Sequence, residues 1–142
     1  MFTLISEGSF DAAHFLHGYN GKCSNIHGHR WRVVVEIYSD TLKEDTHTRG
    51  MVLDFDTLKE DIKSEVDYFD HSLIIEKSSL REKTYEALKE EGIKLIEVNF
   101  RTTAENFSKY FYEVFEKKGY QVKKVSVYET PNNCATYYKC ID

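Results

Sequence analysis

Apolar and polar residues alternate at both ends of the chain, the pattern of strands in a half-buried sheet. Residues 2–14 set Phe2, Leu4, Ser6 and Gly8 in alternation with polar or smaller positions. Residues 29–39, HRWRVVVEIYS, are rich in β-branched and aromatic residues and predict a second strand. The segments QVKKVSVYE and CATYYKCI predict two more strands near the C-terminus.

The middle of the chain changes to helical spacing. After Asp54 or Asp56, either of which can cap a helix, apolar residues recur three and four positions apart. They are Phe55, Leu58, Ile62, Val66 and Phe69. The charge-rich segment 78–94 predicts a short, exposed helix that ends at Gly92.

A further long helix is predicted after residue 101. Thr102 or Thr103 can cap it, and Glu105 stands at the capping-box distance from Thr102. Its apolar stripe consists of Phe107, Tyr110, Phe111, Val114 and Phe115, and Gly119 closes it. Strands grouped at the two ends, with helices between them, predict an α+β domain with an antiparallel sheet. Residues 1–142 are expected to form a single domain.

Composition excludes several classes of partner. The net charge of −5 leaves no general basic face, so binding to nucleic acid or anionic membranes is not expected. No run of about 18 apolar residues is present, and no secretion signal is visible at the N-terminus. Three cysteines, an odd number, then favour reduced thiols and the cytoplasm.

The segment Cys23-Ser-Asn-Ile-His27-Gly-His29 carries the clearest candidate chemistry. Residues i and i+2 of a strand point to one face, so His27 and His29 aim their imidazoles together. His14 ends the first strand and is the natural third ligand if the first two strands pair antiparallel. Three protein ligands and an open position are typical of catalytic zinc. This pattern predicts a zinc site.

Other interpretations of the segment stay open. A His-x-His pair on a strand is often only polar surface. Cys23 could be a fourth, sulfur ligand that closes a structural site. It could instead stand beside the metal as a reactive thiolate.

Two further positions carry weaker signals. Asp70-His71 places a carboxylate beside an imidazole, which is how a general base is oriented, although a turn at a helix end explains it equally. Glu129 follows an apolar strand. It either caps a turn or binds an amidine-like edge through two charge-assisted hydrogen bonds.

Six motifs in order give the chain a family resemblance. They are Phe10-x-x-x-His14, Cys23-x-x-x-His27-Gly-His29, Met51-Val-Leu-Asp-Phe55, Asp70-His71, Thr103-Ala-Glu105-Asn106 and Glu129-Thr-Pro131. Together they resemble the 6-pyruvoyl-tetrahydropterin synthase and 6-carboxy-tetrahydropterin synthase family over nearly the whole chain. The resemblance implies a tunnelling fold (ββααββ), with a four-stranded antiparallel sheet and helices on one face. It also implies homo-oligomers, trimers or hexamers, with sites at subunit interfaces.

The resemblance also implies residue roles. His14, His27 and His29 would bind Zn²⁺, and Cys23 would be the catalytic thiol that moves protons. Asp70 and His71 would form its relay. Glu129 would anchor the pterin edge, with Thr103 and Glu105 near the same pocket. The substrate implied is 7,8-dihydroneopterin triphosphate.

Spacing selects a branch of the family. Three residues separate Cys23 from His27, which resembles the 6-carboxy-tetrahydropterin synthases of queuosine biosynthesis. These zinc-dependent lyases release acetaldehyde and triphosphate. One alternative is a 6-pyruvoyl-tetrahydropterin synthase, which eliminates triphosphate without cleaving a carbon–carbon bond. Another is a non-catalytic zinc-binding assembly module that uses Cys23 as a ligand.

Overall fold

The computed structural model describes residues 1–140. The chain forms six strands and three α-helices within these residues, and a single 3-10 turn at Lys22–Ser24. The strands are β1 (Phe2–His14), β2 (His27–Ser39), β3 (Ser72–Glu76), β4 (Leu95–Val98), β5 (Val122–Thr130) and β6 (Asn133–Tyr137). The helices are α1 (Phe55–Phe69), α2 (Glu82–Glu90) and α3 (Ala104–Lys117).

All six strands belong to one mixed sheet in the order β4-β3-β1-β2-β5-β6. The four predicted strands β1, β2, β5 and β6 are present and pair antiparallel. The prediction of a four-stranded antiparallel sheet is nevertheless wrong. Strand β3 pairs parallel with β1, and β4 pairs parallel with β3.

The two additional strands are short and lie between helices. Strand β3 reads Ser-Leu-Ile-Ile-Glu and β4 reads Leu-Ile-Glu-Val, so neither run is long enough to show a clear period. Four of the five β3 residues are buried, as in a strand covered on both faces. Helix α2, which was predicted, is the crossover between these parallel strands.

The core lies between one face of the sheet and helices α1 and α3. Phe10, Trp31 and Val33 from the sheet pack against apolar residues of both helices. Leu58, Ile62, Val66 and Phe69 of α1 are buried as predicted, whereas Phe55 is 52% exposed. Strand β1 therefore has a core-facing side that runs from Leu4 to His14.

The caps hold both long helices in place. The Asp54 side chain accepts a hydrogen bond from the backbone N–H of Asp56, as predicted for α1. Thr103 caps α3 by accepting a hydrogen bond from the N–H of Asn106, so the side chain of Thr102 is not needed as a cap. None of the helices within residues 1–140 is long and apolar enough to cross a membrane.

Candidate metal centre

Strand pairing alone brings three histidines together. In the antiparallel register of β1 and β2, His14 lies opposite His27, and Ala12 lies opposite His29. These side chains share the sheet face of Trp31, which packs against His14 and His29 with ring centroids 4.9 and 5.5 Å apart. The histidines therefore extend the hydrophobic core at one end of the sheet.

Strand β5 adds a carboxylate to this group. Because Val33 of β2 pairs with Val127 of β5, Glu129 points to the same face two residues further on. Its Oε1 lies 3.3 Å from Nε2 of His14 and 3.3 Å from Nε2 of His29. The four ligand atoms of His14, His27, His29 and Glu129 all lie within 4.8 Å of one another.

The hydrogen bonds of two histidines fix which ring nitrogen carries the proton. Nδ1 of His14 is 2.9 Å from the carbonyl oxygen of Thr102, and Nδ1 of His27 is 2.7 Å from that of Asn25. A carbonyl oxygen only accepts, so each Nδ1 donates and each neutral ring has a bare Nε2.

These bare nitrogens then face each other. Nε2 of His14 and Nε2 of His27 are 3.1 Å apart, and with both Nδ1 atoms protonated neither neutral ring has a proton to share. Two lone pairs at this distance repel unless a cation lies between them. Nε2 of His29 is buried and forms no hydrogen bond, although Oε1 of Glu129 lies 3.3 Å away. Buried polar atoms without partners call for a missing ligand.

Electrostatics keep the donors in the forms that bind metal. Burial lowers the pKa of His29, which favours its neutral ring. Three neutral imidazoles and a carboxylate could hold a metal ion, and the residues present fit such a group.

Cys23 lies outside this group. It belongs to the 3-10 turn Lys22–Ser24 in the loop between β1 and β2, and it is half-buried. Its carbonyl oxygen accepts the N–H of Leu16 at 2.8 Å, which fixes the turn against the end of β1. The four-donor group does not include its sulfur, so the structure gives no support to a closed site with Cys23 as a ligand.

Asp70 and His71 form a hydrogen-bonded pair at the turn between α1 and β3. Nδ1 of His71 lies 2.7 Å from Oδ2 of Asp70, and Oδ1 of Asp70 accepts the backbone N–H of Asp11 at 2.8 Å. That backbone bond, followed by His71, lowers the pKa of Asp70. His71 has a positive φ of 55° and its side chain is 79% exposed. No hydrogen bond joins it to Cys23 within the described part of this chain.

The remaining predicted residues lie at the start of α3. Thr103 is the N-cap, and Glu105 is exposed in the first helical turn. Sequence reasoning missed Thr102, which is fully buried and contacts His14. It also missed Glu129 as a neighbour of the histidines, although the alternation of β5 after Val125 and Val127 would have placed it on the core face.

Two clefts on the sheet include His29 in their walls. One, of about 450 Å³, is lined by residues that include His29, Arg30, Arg32 and Tyr128–Pro131. The other, of about 420 Å³, includes His29 and His71 on its walls. Arg30 and Arg32 point away from the helices, and each forms an ion pair with a β1 carboxylate, Asp11 and Glu7 respectively.

Known proteins resemble the chain throughout its length. The family model described as 6-pyruvoyl tetrahydropterin synthase matches residues 3–140. A Haemophilus influenzae protein named 6-carboxy-5,6,7,8-tetrahydropterin synthase is 35% identical over 140 residues, covering 96% of this chain and 99% of that protein. An Aquifex aeolicus protein of the same name is 33% identical, covering 82% of this chain and 75% of its own.

Solved structures show the same fold. The 6-pyruvoyl tetrahydropterin synthase of Caenorhabditis elegans superposes with a TM-score of 0.66 at 28% identity, covering 98% of this chain and 96% of its own. An uncharacterized Wolinella succinogenes protein has a TM-score of 0.77 at 20% identity, with 96% and 97% covered. On this evidence, the chain belongs to the 6-pyruvoyl tetrahydropterin synthase family.

Proposed function

We propose that the protein is a 6-carboxy-5,6,7,8-tetrahydropterin synthase. In this proposal, a zinc-dependent lyase converts 7,8-dihydroneopterin triphosphate to 6-carboxy-5,6,7,8-tetrahydropterin, acetaldehyde and triphosphate, with uptake of water. The product would enter queuosine biosynthesis in the cytoplasm. Relatives at 33–35% identity that bear this name support the choice of branch.

The convergence of His14, His27 and His29 on one point carries the proposal. A core-forming sheet gains nothing from two unprotonated nitrogens 3.1 Å apart beside an unpartnered third. Three imidazole nitrogens with an open fourth position are a typical donor set for catalytic Zn²⁺. When bound, zinc would polarise oxygen atoms of the substrate side chain and favour loss of the neighbouring protons.

The residues around this centre would then move the protons. Cys23 would act as the thiolate that takes a proton from the substrate side chain. His71 would return or remove protons as its acid–base partner. The ionised Asp70 carboxylate would hold the Nδ1–H of His71, leaving Nε2 as the atom that exchanges protons.

Glu129 would anchor the pterin through its aminopyrimidine edge. Both of its contacts with histidines use Oε1, which leaves Oε2 for a hydrogen bond to a ligand. A hydrogen bond from an N–H group of such an edge to the charged carboxylate would be stronger than a neutral one and would orient the ring. Thr103 and Glu105 would contribute to the same pocket from the start of α3.

We also propose that the chain assembles into homotrimers or hexamers. Among the residues that the structure describes, strand β1 pairs with β3 only at Ala12 and Ala13, which leaves most of its outer edge unpaired there. Phe2 and Ile5, 47% and 56% exposed, lie along that part of β1. The edge strand β6 of a second copy could pair with this unpaired part of β1 and close the sheets into a barrel.

A second candidate function is that of a 6-pyruvoyl-tetrahydropterin synthase. The family model and the Caenorhabditis elegans structure carry that name, and the same metal site and substrate would serve both reactions. A non-catalytic zinc module closed by Cys23 has less support, because the sulfur of Cys23 does not belong to the group of donors around His14, His27 and His29.

Product analysis separates these candidates. Zinc-loaded protein is incubated with 7,8-dihydroneopterin triphosphate, and the products are identified by mass spectrometry. A 6-carboxy product with acetaldehyde is expected. A 6-pyruvoyl product would overturn the branch assignment and keep the site, whereas unreacted substrate would overturn the catalytic proposal.

A further inference from the structure

We propose that Thr102 is a positioning residue for the metal centre, which fixes the ring of His14 and its protonated nitrogen. This inference rests on the metal site in the proposed function and not on the identity of the product. Thr102 is fully buried in the segment that leads into α3.

Two oxygen atoms of Thr102 meet one nitrogen of His14. The backbone oxygen lies 2.9 Å and the side-chain Oγ1 lies 3.0 Å from Nδ1. Because the carbonyl only accepts, Nδ1 carries the proton, and Oγ1 must then accept as well. The hydroxyl group then donates its own proton to the carbonyl oxygen of Phe15, which lies 3.3 Å from Oγ1. One assignment of protons therefore satisfies every contact.

This arrangement determines what His14 can do at its other nitrogen. With Nδ1 held as a donor, Nε2 is bare and points at the Nε2 of His27 and the carboxylate of Glu129. Ring nitrogens of metal-binding histidines are commonly oriented in this way by an outer hydrogen bond, which also makes the ligand more basic. Thr102 supplies two acceptors for this purpose.

The same residue links elements that are distant in the sequence. His14 ends β1, Phe15 begins the loop that leads to Cys23, and Thr102 directly precedes the N-cap Thr103. One buried threonine thus fixes the metal ligand and the start of the loop with the proposed thiol. A purely structural role would require only the bond to Phe15.

The first test is zinc affinity, measured by competition with a chromophoric chelator. Thr102→Val removes the hydroxyl at nearly constant volume, and we expect about tenfold weaker zinc binding. This is the lower end of the effect of losing a hydrogen bond to a metal ligand, because the backbone acceptor remains. Thr102→Ser keeps the hydroxyl and should bind zinc like the wild type. Ser108→Ala, which removes another buried hydroxyl that bonds to Glu105 in α3, is the matched control and should leave the affinity unchanged.

The second test needs no metal. In metal-free protein at pH 8, ¹⁵N–¹H correlation spectra of the imidazole should show His14 with a protonated Nδ1 and a bare Nε2. A bare Nδ1 with the proton on Nε2 would overturn the proposal whether or not Thr102→Val folds. Equal zinc affinity of wild type and Thr102→Val would also overturn it. Absence of zinc binding by the wild type would instead contradict the metal site, and the tautomer would still decide the role of Thr102.

Discussion

At the scale of single residues, the candidate site depends on how each side chain divides its polar atoms. His14 and His27 use Nδ1 for backbone carbonyls and leave Nε2 for a metal. Glu129 uses Oε1 toward the histidines and leaves Oε2. We propose that this division separates metal ligands from catalytic groups, and the roles of Cys23 and Glu129 can be tested on that basis.

Cys23→Ala should abolish turnover and keep zinc. The group of four donors does not include the sulfur of Cys23, so removal of the thiol should leave metal binding intact. Losing a general acid–base group costs roughly 100- to 10,000-fold in rate. Zinc is counted by elemental analysis and turnover by release of triphosphate. His27→Ala is the control that should lose the metal, and loss of zinc from Cys23→Ala would mean that the thiol is a ligand.

Glu129→Gln should weaken pterin binding while zinc stays bound. An amide keeps the shape but replaces one acceptor oxygen with a donor, which opposes the N–H groups of the pterin edge. Removing a charge-assisted bond is worth roughly 10- to 100-fold in affinity. Titration with unphosphorylated 7,8-dihydroneopterin measures the affinity of each variant for the pterin.

The same experiment distinguishes an anchor from a ligand. Glu113→Gln, an exposed change on α3, should leave both affinities unchanged. If Glu129→Gln loses zinc and binds the pterin normally after reloading, Glu129 is a metal ligand and not the anchor.

At the scale of elements, the tight contact between β1 and α1 holds one wall of the site. Gly8 faces the helix, and a Cβ added there would lie 2.8 Å from Cγ2 of Ile62 and 3.2 Å from Cγ2 of Val66. The glycine thus allows the helix to approach the strand that ends at His14.

Gly8→Ala should therefore destabilise the protein. Overpacking of this kind costs about 1–3 kcal/mol, which outweighs the entropy that glycine loses in a strand. The free energy of unfolding is measured by urea denaturation. Ile62→Leu removes the offending Cγ2 at constant volume, and we expect the double variant to recover part of the loss. Simple additivity of the two changes would show that Ile62 is not the obstacle.

The elements also show what the pattern of residues can and cannot reveal. The strands β1, β2, β5 and β6 were predictable because alternation continues for five or more residues. Strands β3 and β4 were missed, since a run such as Leu73–Ile75 is equally compatible with a helix end. These two strands pair in parallel and are connected by helix α2, so no local sequence signal specifies their pairing.

The candidate site divides in the same way. His14, His27 and His29 followed from strand alternation and one assumption about pairing. Thr102 could not be separated from Thr103 by composition, since both residues can cap a helix. Only the contact across 88 residues with His14 distinguishes them. The position of Glu129 required the register of β5 against β2, which depends on tertiary pairing.

At the scale of the whole molecule, the question is how Cys23 and His71 could work on one substrate. Among residues 1–140 of one chain no hydrogen bond joins them, and the His71 side chain is largely exposed. A free β1 edge offers a place for a second copy. We therefore expect His71 of one subunit to serve Cys23 of another in the assembled oligomer.

Mixed oligomers test this expectation. Cys23→Ala and His71→Asn should each be inactive when expressed alone. The two variants are co-expressed with different tags, and oligomers that carry both tags are purified. If each site combines Cys23 of one subunit with His71 of a neighbour, every trimer that carries both tags has one intact site in three, and a hexamer has about one in four. About a quarter to a third of wild-type activity should therefore return. Sites built from one chain would each keep one defect, and no activity would return.

Two controls make this result interpretable. Co-expression of Cys23→Ala with the double variant Cys23→Ala/His71→Asn offers no intact thiol and should stay inactive. Co-expression of wild type with Cys23→Ala should retain about half of the activity in either arrangement, which shows that mixed oligomers assemble. Inactive mixtures of the two single variants beside a half-active control would assign both residues to one subunit. The cleft shared by His29 and His71 would then be the route between the relay and the metal centre within each chain.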